Sequence, residues 1–272
     1  MCVDGMDLVE LAVAKLIPAP SQWPEFYNWA HAEFDLTDDS WIPAGGIWII
    51  FGQVIQDERW SGSKPYGKMI HAIYLLAYAL RDDYIPQWHA RRDYLNLAMS
   101  ADNNYHGPFY SRFINDSGDT GATAQTGRFL ARDRTDYQCA IFDANRPNSS
   151  NPAVRAGVIV HESWHHWQYK YNWDGSHPTG GKIVAGREGD YYYRHGTGAF
   201  DFGELWKYDL NPPMRFHSPY QIEAEFYADL AEHSFGWVPI SVGDSARAQG
   251  NNLLANRFHN GTSYRIGQPR PF

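Results

Sequence analysis

The segment from Asn151 to Asn172 constrains the fold of this chain more than any other, because it joins the start signals of a helix to a group of polar side chains. Asn151 can cap the first turn, and Pro152 is tolerated there because its missing N–H would have no partner inside the helix. The run PAVRAGVIVHESWHHWQYKY follows. We therefore predict a helix that begins at Pro152 and ends near Asn172 and Gly175.

This predicted helix carries His161, Glu162 and His165 in the pattern H-E-x-x-H. At about 100° per residue, histidines four positions apart lie within about 40° on one helix face, so both rings can reach one ion. Zinc binds imidazole nitrogen, and a catalytic zinc site keeps one position for water. Glu162 can take a proton from that water without binding the metal. The motif predicts a zinc site with two histidine ligands and Glu162 as the general base.

A catalytic site of this kind needs a third protein ligand, and the sequence offers two candidates. A helix predicted over residues 219–235 contains Glu225 and Asp229, four positions apart on one face. Glu225 can therefore bind the metal while Asp229 accepts the outer N–H of a ligand histidine. Asp201, in the segment GTGAFDFG, is the second candidate and ranks behind Glu225.

Other residues near the motif are assigned no role in the metal site. The metzincin pattern is excluded because it requires Gly and His where this chain has Gln168 and Tyr171. Glu223 points about 200° away from Glu225 on the same helix, and we expect it to face solvent or to form a salt bridge. His166 is turned about 100° from His165 and is expected to be packed or solvated.

Two segments resemble a known family. VIVHESWHHWQYKY resembles the H-E-x-x-H-x-W-Q helix of bacterial gluzincin-like domains, some of which are attached to toxin modules, and IEAEFYADLA resembles the E-x-x-A-D helix of those domains and of the CAAX prenyl-endopeptidase type. The resemblance implies a zinc metallopeptidase in which His161, His165 and Glu225 bind zinc. It also implies that Glu162 is the base and that Asp229 supports a ligand histidine. The resemblance is confined to these two predicted helices of the 272-residue chain.

The remaining pattern favours an α+β fold. Helical spacing of apolar residues predicts a helix over 66–82, and residues 7–35 look helical with breaks at prolines. DYQCAIFDA (136–144) predicts a strand, and the small polar residues of 115–127 predict a loop. We expect a zincin-like fold, mainly helical with a small sheet. Its two parts would be an N-terminal mainly helical region, 1–127, and a zincin-like catalytic region, 128–272.

The charge and the hydropathy of the chain limit the classes of partner that it can bind. A formal net charge of -8 and a pI near 5.8 argue against nucleic acid or an anionic membrane, because both need a concentrated cationic surface. The longest apolar stretches, 45–55 and 69–80, are shorter than the roughly 20 residues that span a bilayer. The first sixteen residues lack the basic start of a signal peptide. We expect a soluble protein with a protein or peptide substrate. A secreted or periplasmic location is slightly favoured, but the sequence does not decide the compartment. It does not predict the oligomeric state either.

The predicted activity is zinc-dependent peptide hydrolysis, and two alternatives stay open. One is a zinc-bearing binding or accessory module of a toxin; the intact Glu162 speaks against it, because a structural zinc site needs no base. The other is a zinc amidase acting on cell-wall peptides, which the sequence does not separate from a peptidase. The group that stabilises the oxyanion also stays open. Its candidates are Tyr191, Tyr192, Tyr193, Arg194, His195, His217 and His233.

Overall fold

The structure is a computed structural model of the 272-residue chain. It describes residues 7–34, 36–37, 49–50, 53–54, 65–80, 110–114, 124–129, 132–138, 151–172, 219–233, 238–258 and 265–267.

Six helices and six short strands make up this described part of the chain. The helices are α1 (Leu8–Ala14), α2 (Pro24–Phe34), α3 (Pro65–Tyr78), α4 (Pro152–Asn172), α5 (Pro219–His233) and α6 (Ile240–Arg257). The strands are β1 (Leu36–Thr37), β2 (Ile49–Ile50), β3 (Gln53–Val54), β4 (Tyr110–Ile114), β5 (Ala124–Phe129) and β6 (Arg132–Gln138).

The larger sheet has four strands in the order β1-β4-β6-β5. Strands β1, β4 and β6 run parallel, and β5 pairs antiparallel with β6 at the edge. Strands β2 and β3 form a separate antiparallel pair. The expected strand over 136–144 is confirmed over 136–138 and begins earlier than expected, at Arg132, while residues 139–144 lie outside the described part. The expected loop over 115–127 is wrong at its end, where β5 begins; an edge strand needs no continuous apolar face.

Three helices follow their sequence patterns closely. The predicted helix over 66–82 is α3, and the predicted helix over 219–235 is α5, each within a few residues at its ends. The predicted start of α4 at Pro152 and its end near Asn172 are confirmed. Local start and stop signals therefore placed the two helices that carry the candidate site.

Helix α4 lies at the centre of the described core. It packs against α1, α3, α5 and α6, with β5 as a further contact. Every described side chain on it, from Asn151 to Ser163, is buried. The first three turns of α4 are therefore surrounded on all sides.

The expected α+β, zincin-like fold is corrected by this packing. Among the residues whose side chains the structure describes, which include none of the strand residues, the buried core consists of helix residues and of residues in the turns beside the helices. Helix α4 is enclosed by four other helices, because its first three turns have apolar or small residues around most of their circumference. A helix of that kind is covered from several sides, whereas an amphipathic helix rests on one sheet face.

A buried polar cluster joins α1, α3 and α4. The carboxylate of Glu10 accepts hydrogen bonds from His71 Nδ1 and Arg155 Nη2, and Arg155 Nε donates to the Lys68 carbonyl over 3.1 Å. Burial raises the pKa of Glu10, but Arg155 and His71 outweigh this and hold the pKa below its ordinary value. We call Glu10, His71 and Arg155 the Arg155 cluster. It links helices from both sides of the predicted boundary at residue 127.

Candidate metal centre on helix α4

Helix α4 is fixed at its start by Asn151. The Asn151 Oδ1 atom accepts a hydrogen bond from the Val154 N–H over 3.1 Å, as predicted for an N-cap. Its Nδ2 group donates to Ser245 Oγ on α6 over 2.8 Å. The cap therefore sets both the first turn of α4 and its position against α6, almost three turns before the H-E-x-x-H motif.

The first half of the motif lies at the edge of the core. His161 is 7% exposed and Glu162 is 5% exposed. Ser163 is fully buried, and its hydroxyl donates to the Ile159 carbonyl over 2.6 Å. His165 lies on α4 one turn after His161, and its side chain is outside the described part of the structure. The two predicted histidine ligands thus share one helix, as the motif requires.

His161 is held by a carboxylate of the neighbouring helix α5. The Nδ1 atom of His161 donates to Glu223 Oε2 over 2.8 Å. Glu223 is only 8% exposed, so the expectation that it faces solvent is wrong, while its expected role as a salt-bridge partner is confirmed. The ring of Tyr220 meets the His161 ring edge to face, with centroids 4.8 Å apart.

Negative charge dominates the surroundings of His161. Burial lowers the pKa of His161, but the hydrogen bond to Glu223 and the charges of Glu223 and Glu162 outweigh burial, so the pKa lies above its ordinary value. The positive charge of Arg257 acts in the opposite direction. A cationic form of this ring, or a cation bound beside it, is therefore favoured.

Tyr227 fixes the carboxylate that holds His161. Its hydroxyl lies 3.0 Å from Glu223 Oε1 and 3.3 Å from the Val154 carbonyl on α4. Burial, and then the charge and hydrogen bond of Glu223, raise the pKa of Tyr227 well above its ordinary value, so the hydroxyl keeps its proton and can donate. Both carboxylate oxygens of Glu223 are thus engaged by donors. We call His161, Glu223 and Tyr227 the His161 cluster.

Two glycines make room for the Tyr227 side chain. A Cβ atom on Gly157 would lie 2.4 Å from the Cζ and hydroxyl atoms of Tyr227. A Cβ atom on Gly250 would lie 3.0 Å from Tyr227 Cβ and 2.2 Å from Ile266 Cδ1. The phenol therefore lies in a slot between α4 and α6 that only glycines leave open.

Glu225 and Asp229 also lie on α5, and both are fully buried. Helical geometry puts them about 200° and about 240° around the α5 axis from Glu223. The structure brings Glu223 to His161, whereas Glu225 and Asp229 lie on another side of the helix. Sequence analysis missed Glu223 and Tyr227, although their four-residue spacing equals that of Glu225 and Asp229.

A phenol and a guanidinium lie at the more exposed end of the site. The Arg257 Cζ atom lies 4.7 Å from the centroid of the Tyr220 ring, which is the arrangement of a cation–π contact. Burial raises the pKa of Tyr220; Arg257 lowers it, and Glu223 and Glu162 raise it further. Tyr220 and Arg257 were not among the predicted oxyanion-stabilising residues. Their position beside His161 and Glu162 makes them candidates for contact with a substrate.

The described geometry fits a zinc ligand at His161. Metal-binding histidines usually donate their second ring N–H to a carboxylate or carbonyl, and His161 does so through Nδ1. A metal held by this ring would therefore be bound through Nε2. Among the residues with described side chains, no group of three or more His, Cys, Asp or Glu is arranged to hold a metal ion, and His165 is outside that set.

Several predicted residues fall outside the described part. These are Asp201, His217 and the residues from Tyr191 to His195. His166 on α4 and His233 at the end of α5 lie on described helices, but their side chains are outside the described part.

Comparison with known proteins found no match: no protein-family model, no curated protein and no solved structure is significantly similar to this chain. Within the described residues, no helix has both the length and the apolar character needed to cross a membrane.

Proposed function

We propose that this chain is a zinc-dependent metallopeptidase whose site is built on α4 from His161, His165 and Glu162. The observation that carries the proposal is the hydrogen bond from His161 Nδ1 to the buried carboxylate of Glu223. A carboxylate in this position fixes the ring of a ligand histidine and raises its basicity. Here it occurs within an H-E-x-x-H motif on a capped helix, which is the structural context the motif needs.

Different residues of the chain would bind the metal, transfer the proton and stabilise the oxyanion. Zinc, when bound, lowers the pKa of a bound water toward about 7 and polarises the scissile carbonyl. His161 and His165 hold the metal. Glu162 accepts the proton of the attacking water and passes it to the leaving amine. Tyr220 and Arg257, at the exposed end, can donate to the developing oxyanion.

The third ligand is proposed to be a carboxylate, and the sequence pattern favours Glu225, with Asp229 supporting a ligand histidine. The geometry of α5 bears on this choice, because Glu223 faces His161 and Glu225 points about 200° away from it. Asp201 is the alternative from outside the described part. The carboxylates of Glu223, Glu225 and Asp201 must therefore be compared by experiment as candidates for the third ligand.

The first experiment measures zinc content by inductively coupled plasma mass spectrometry after zinc loading and removal of excess metal. The native chain is expected to hold about one zinc, which His161→Ala and His165→Ala lose. Glu223→Gln, Glu225→Gln and Asp201→Asn are made separately, and the variant that loses zinc identifies the third ligand. A native chain that retains no zinc after loading would refute the proposed function.

The second experiment tests the base. Glu162→Gln is expected to keep zinc and to lose cleavage of a denatured protein or peptide-library substrate by at least about two orders of magnitude. Glu232→Gln is the matched control, since Glu232 lies on α5 and bonds to the Gly267 N–H, away from His161. Unchanged cleavage by Glu162→Gln would reject the assignment of the base.

A further inference from the structure

The geometry points to Glu223 and Tyr227 as a pair of positioning residues that orient the ring of His161, a role for which the sequence favoured Asp229. In this arrangement Tyr227 fixes Glu223, and Glu223 fixes His161 through its Nδ1–H, so that a metal would be bound through Nε2. This inference rests on the proposed zinc site, but the state of the His161 ring can be measured without any metal.

The contacts of Glu223 favour positioning over direct metal binding. Its Oε2 atom accepts from His161 Nδ1 over 2.8 Å, and its Oε1 atom lies 3.0 Å from the Tyr227 hydroxyl. The Nδ1 and Nε2 atoms of an imidazole point in widely divergent directions. A carboxylate bonded to Nδ1 therefore lies on the far side of the ring from a metal bound at Nε2.

Burial makes the pair rigid. Glu223 is 8% exposed and Tyr227 is 2% exposed, so water competes little for either hydrogen bond. The phenol is also confined by Gly157, whose missing Cβ gives the ring its place against α4. A rigid ring orientation lowers the entropy that His161 loses when it binds a metal, and so strengthens binding.

The test uses the full chain prepared without metal and labelled with 15N at histidine. Two-bond 15N–1H spectra at a pH where His161 is neutral report which ring nitrogen carries the proton. The Nδ1–H tautomer is expected in the native chain, and Glu223→Gln is expected to weaken this preference. Tyr227→Phe should weaken it less, because the hydrogen bond between Glu223 and His161 remains. Glu232→Gln, on the same helix, should leave the tautomer unchanged.

Zinc affinity provides the second readout, measured by competition with a chelator. Glu223→Gln is expected to lower the affinity by about 10- to 100-fold while one zinc still binds at saturation. Tyr227→Phe removes one hydrogen bond and should lower it by about tenfold or less. Glu223→Asp keeps the charge and should restore part of the loss seen with Glu223→Gln.

The outcomes separate this inference from the proposed function. Loss of all zinc from Glu223→Gln would make Glu223 a ligand, which overturns the positioning role and leaves the metallopeptidase intact. A native Nε2–H tautomer, or an unchanged tautomer and affinity in Glu223→Gln, would also overturn the positioning role. If the native chain binds no zinc, the proposed function fails, and the tautomer alone then decides whether Glu223 orients His161.

Discussion

The two buried polar clusters on α4 differ in charge balance and in access to solvent. The Arg155 cluster pairs one carboxylate with one guanidinium, and its side chains are fully buried. The His161 cluster and the neighbouring Glu162 set two carboxylates, Glu162 and Glu223, against one imidazole, and these side chains keep a small exposed area. The first cluster neutralises its own charge and closes the core. The second places negative charge beside the His161 ring, as a site for a cation requires.

The largest effect on stability is expected in the Arg155 cluster. Arg155→Met leaves the Glu10 carboxylate buried without its guanidinium, which should lower the free energy of unfolding by about 3–5 kcal/mol in urea denaturation. The double variant Glu10→Gln, Arg155→Met should recover part of this loss, because no unpaired charge remains. Zinc stoichiometry of the folded fraction should stay at the native value.

The matched control for Arg155 is Arg247 on α6. It pairs with Asp244 over 2.7 Å, with the two side chains 41% and 60% exposed. Arg247→Met should cost about 0–1 kcal/mol, because water screens such a pair. Equal losses at Arg155 and Arg247 would contradict the view that burial gives the Arg155 cluster its importance.

A smaller effect is expected at the glycine beside the His161 cluster. In Gly157→Ala the new Cβ would overlap the Tyr227 phenol, so the ring must move, at a cost of about 1–3 kcal/mol of unfolding free energy. Gly243→Ala on α6 is the control, since its nearest neighbour would lie 3.6 Å away. That change should gain about 0.5–1 kcal/mol from helix propensity. Thermal unfolding of the two alanine variants measures the difference, and equal effects would reject the close packing at Gly157.

The clusters should also respond to pH in opposite directions in the metal-free protein. The pKa of His161 is raised, so its contribution to stability is complete below about 6.5 and is lost as pH rises through the raised value. The pKa of Glu10 is lowered, so its contribution is complete above 4.5 and is lost as pH falls through the lowered value.

Urea denaturation across pH checks both windows. Glu223→Gln should flatten the decline on the alkaline side and leave the acid side as in the native chain. A decline on the alkaline side that persists in this variant would show that Glu223 does not set the titration of His161.

The sequence predicted the two site helices well because their start signals are local. Asn151 and Pro152 mark the start of α4, and α5 extends from Pro219 nearly as far as its pattern indicated. The face that α5 turns toward α4 was not predictable in the same way. Every described side chain from Ile222 to Leu230 is buried, including Glu223, Glu225 and Asp229. A helix without an exposed polar face gives no pattern that orients it.

Long-range pairing accounts for the other features that the sequence did not reveal. Glu10 lies 145 positions from Arg155, and neither residue belongs to a recognisable motif. The loop predicted at 115–127 ends in β5 because β6 supplies its hydrogen-bonding partner, although Gln and Gly give little local strand signal. In both places the partner decides the structure, and the partner is distant or itself weakly patterned.

The smallest expected effect concerns Arg257, at the exposed end of the His161 cluster. Its charge lowers the pKa of both His161 and Tyr220, so Arg257→Gln should raise both values slightly. The effect is small because Arg257 is exposed and water screens its charge. NMR titration of the His161 ring in the metal-free protein measures the shift, with Arg247→Gln as a control on the same helix. An unchanged pKa of His161 would place Arg257 away from the ring in solution, and the site would then lack a cation at its exposed end.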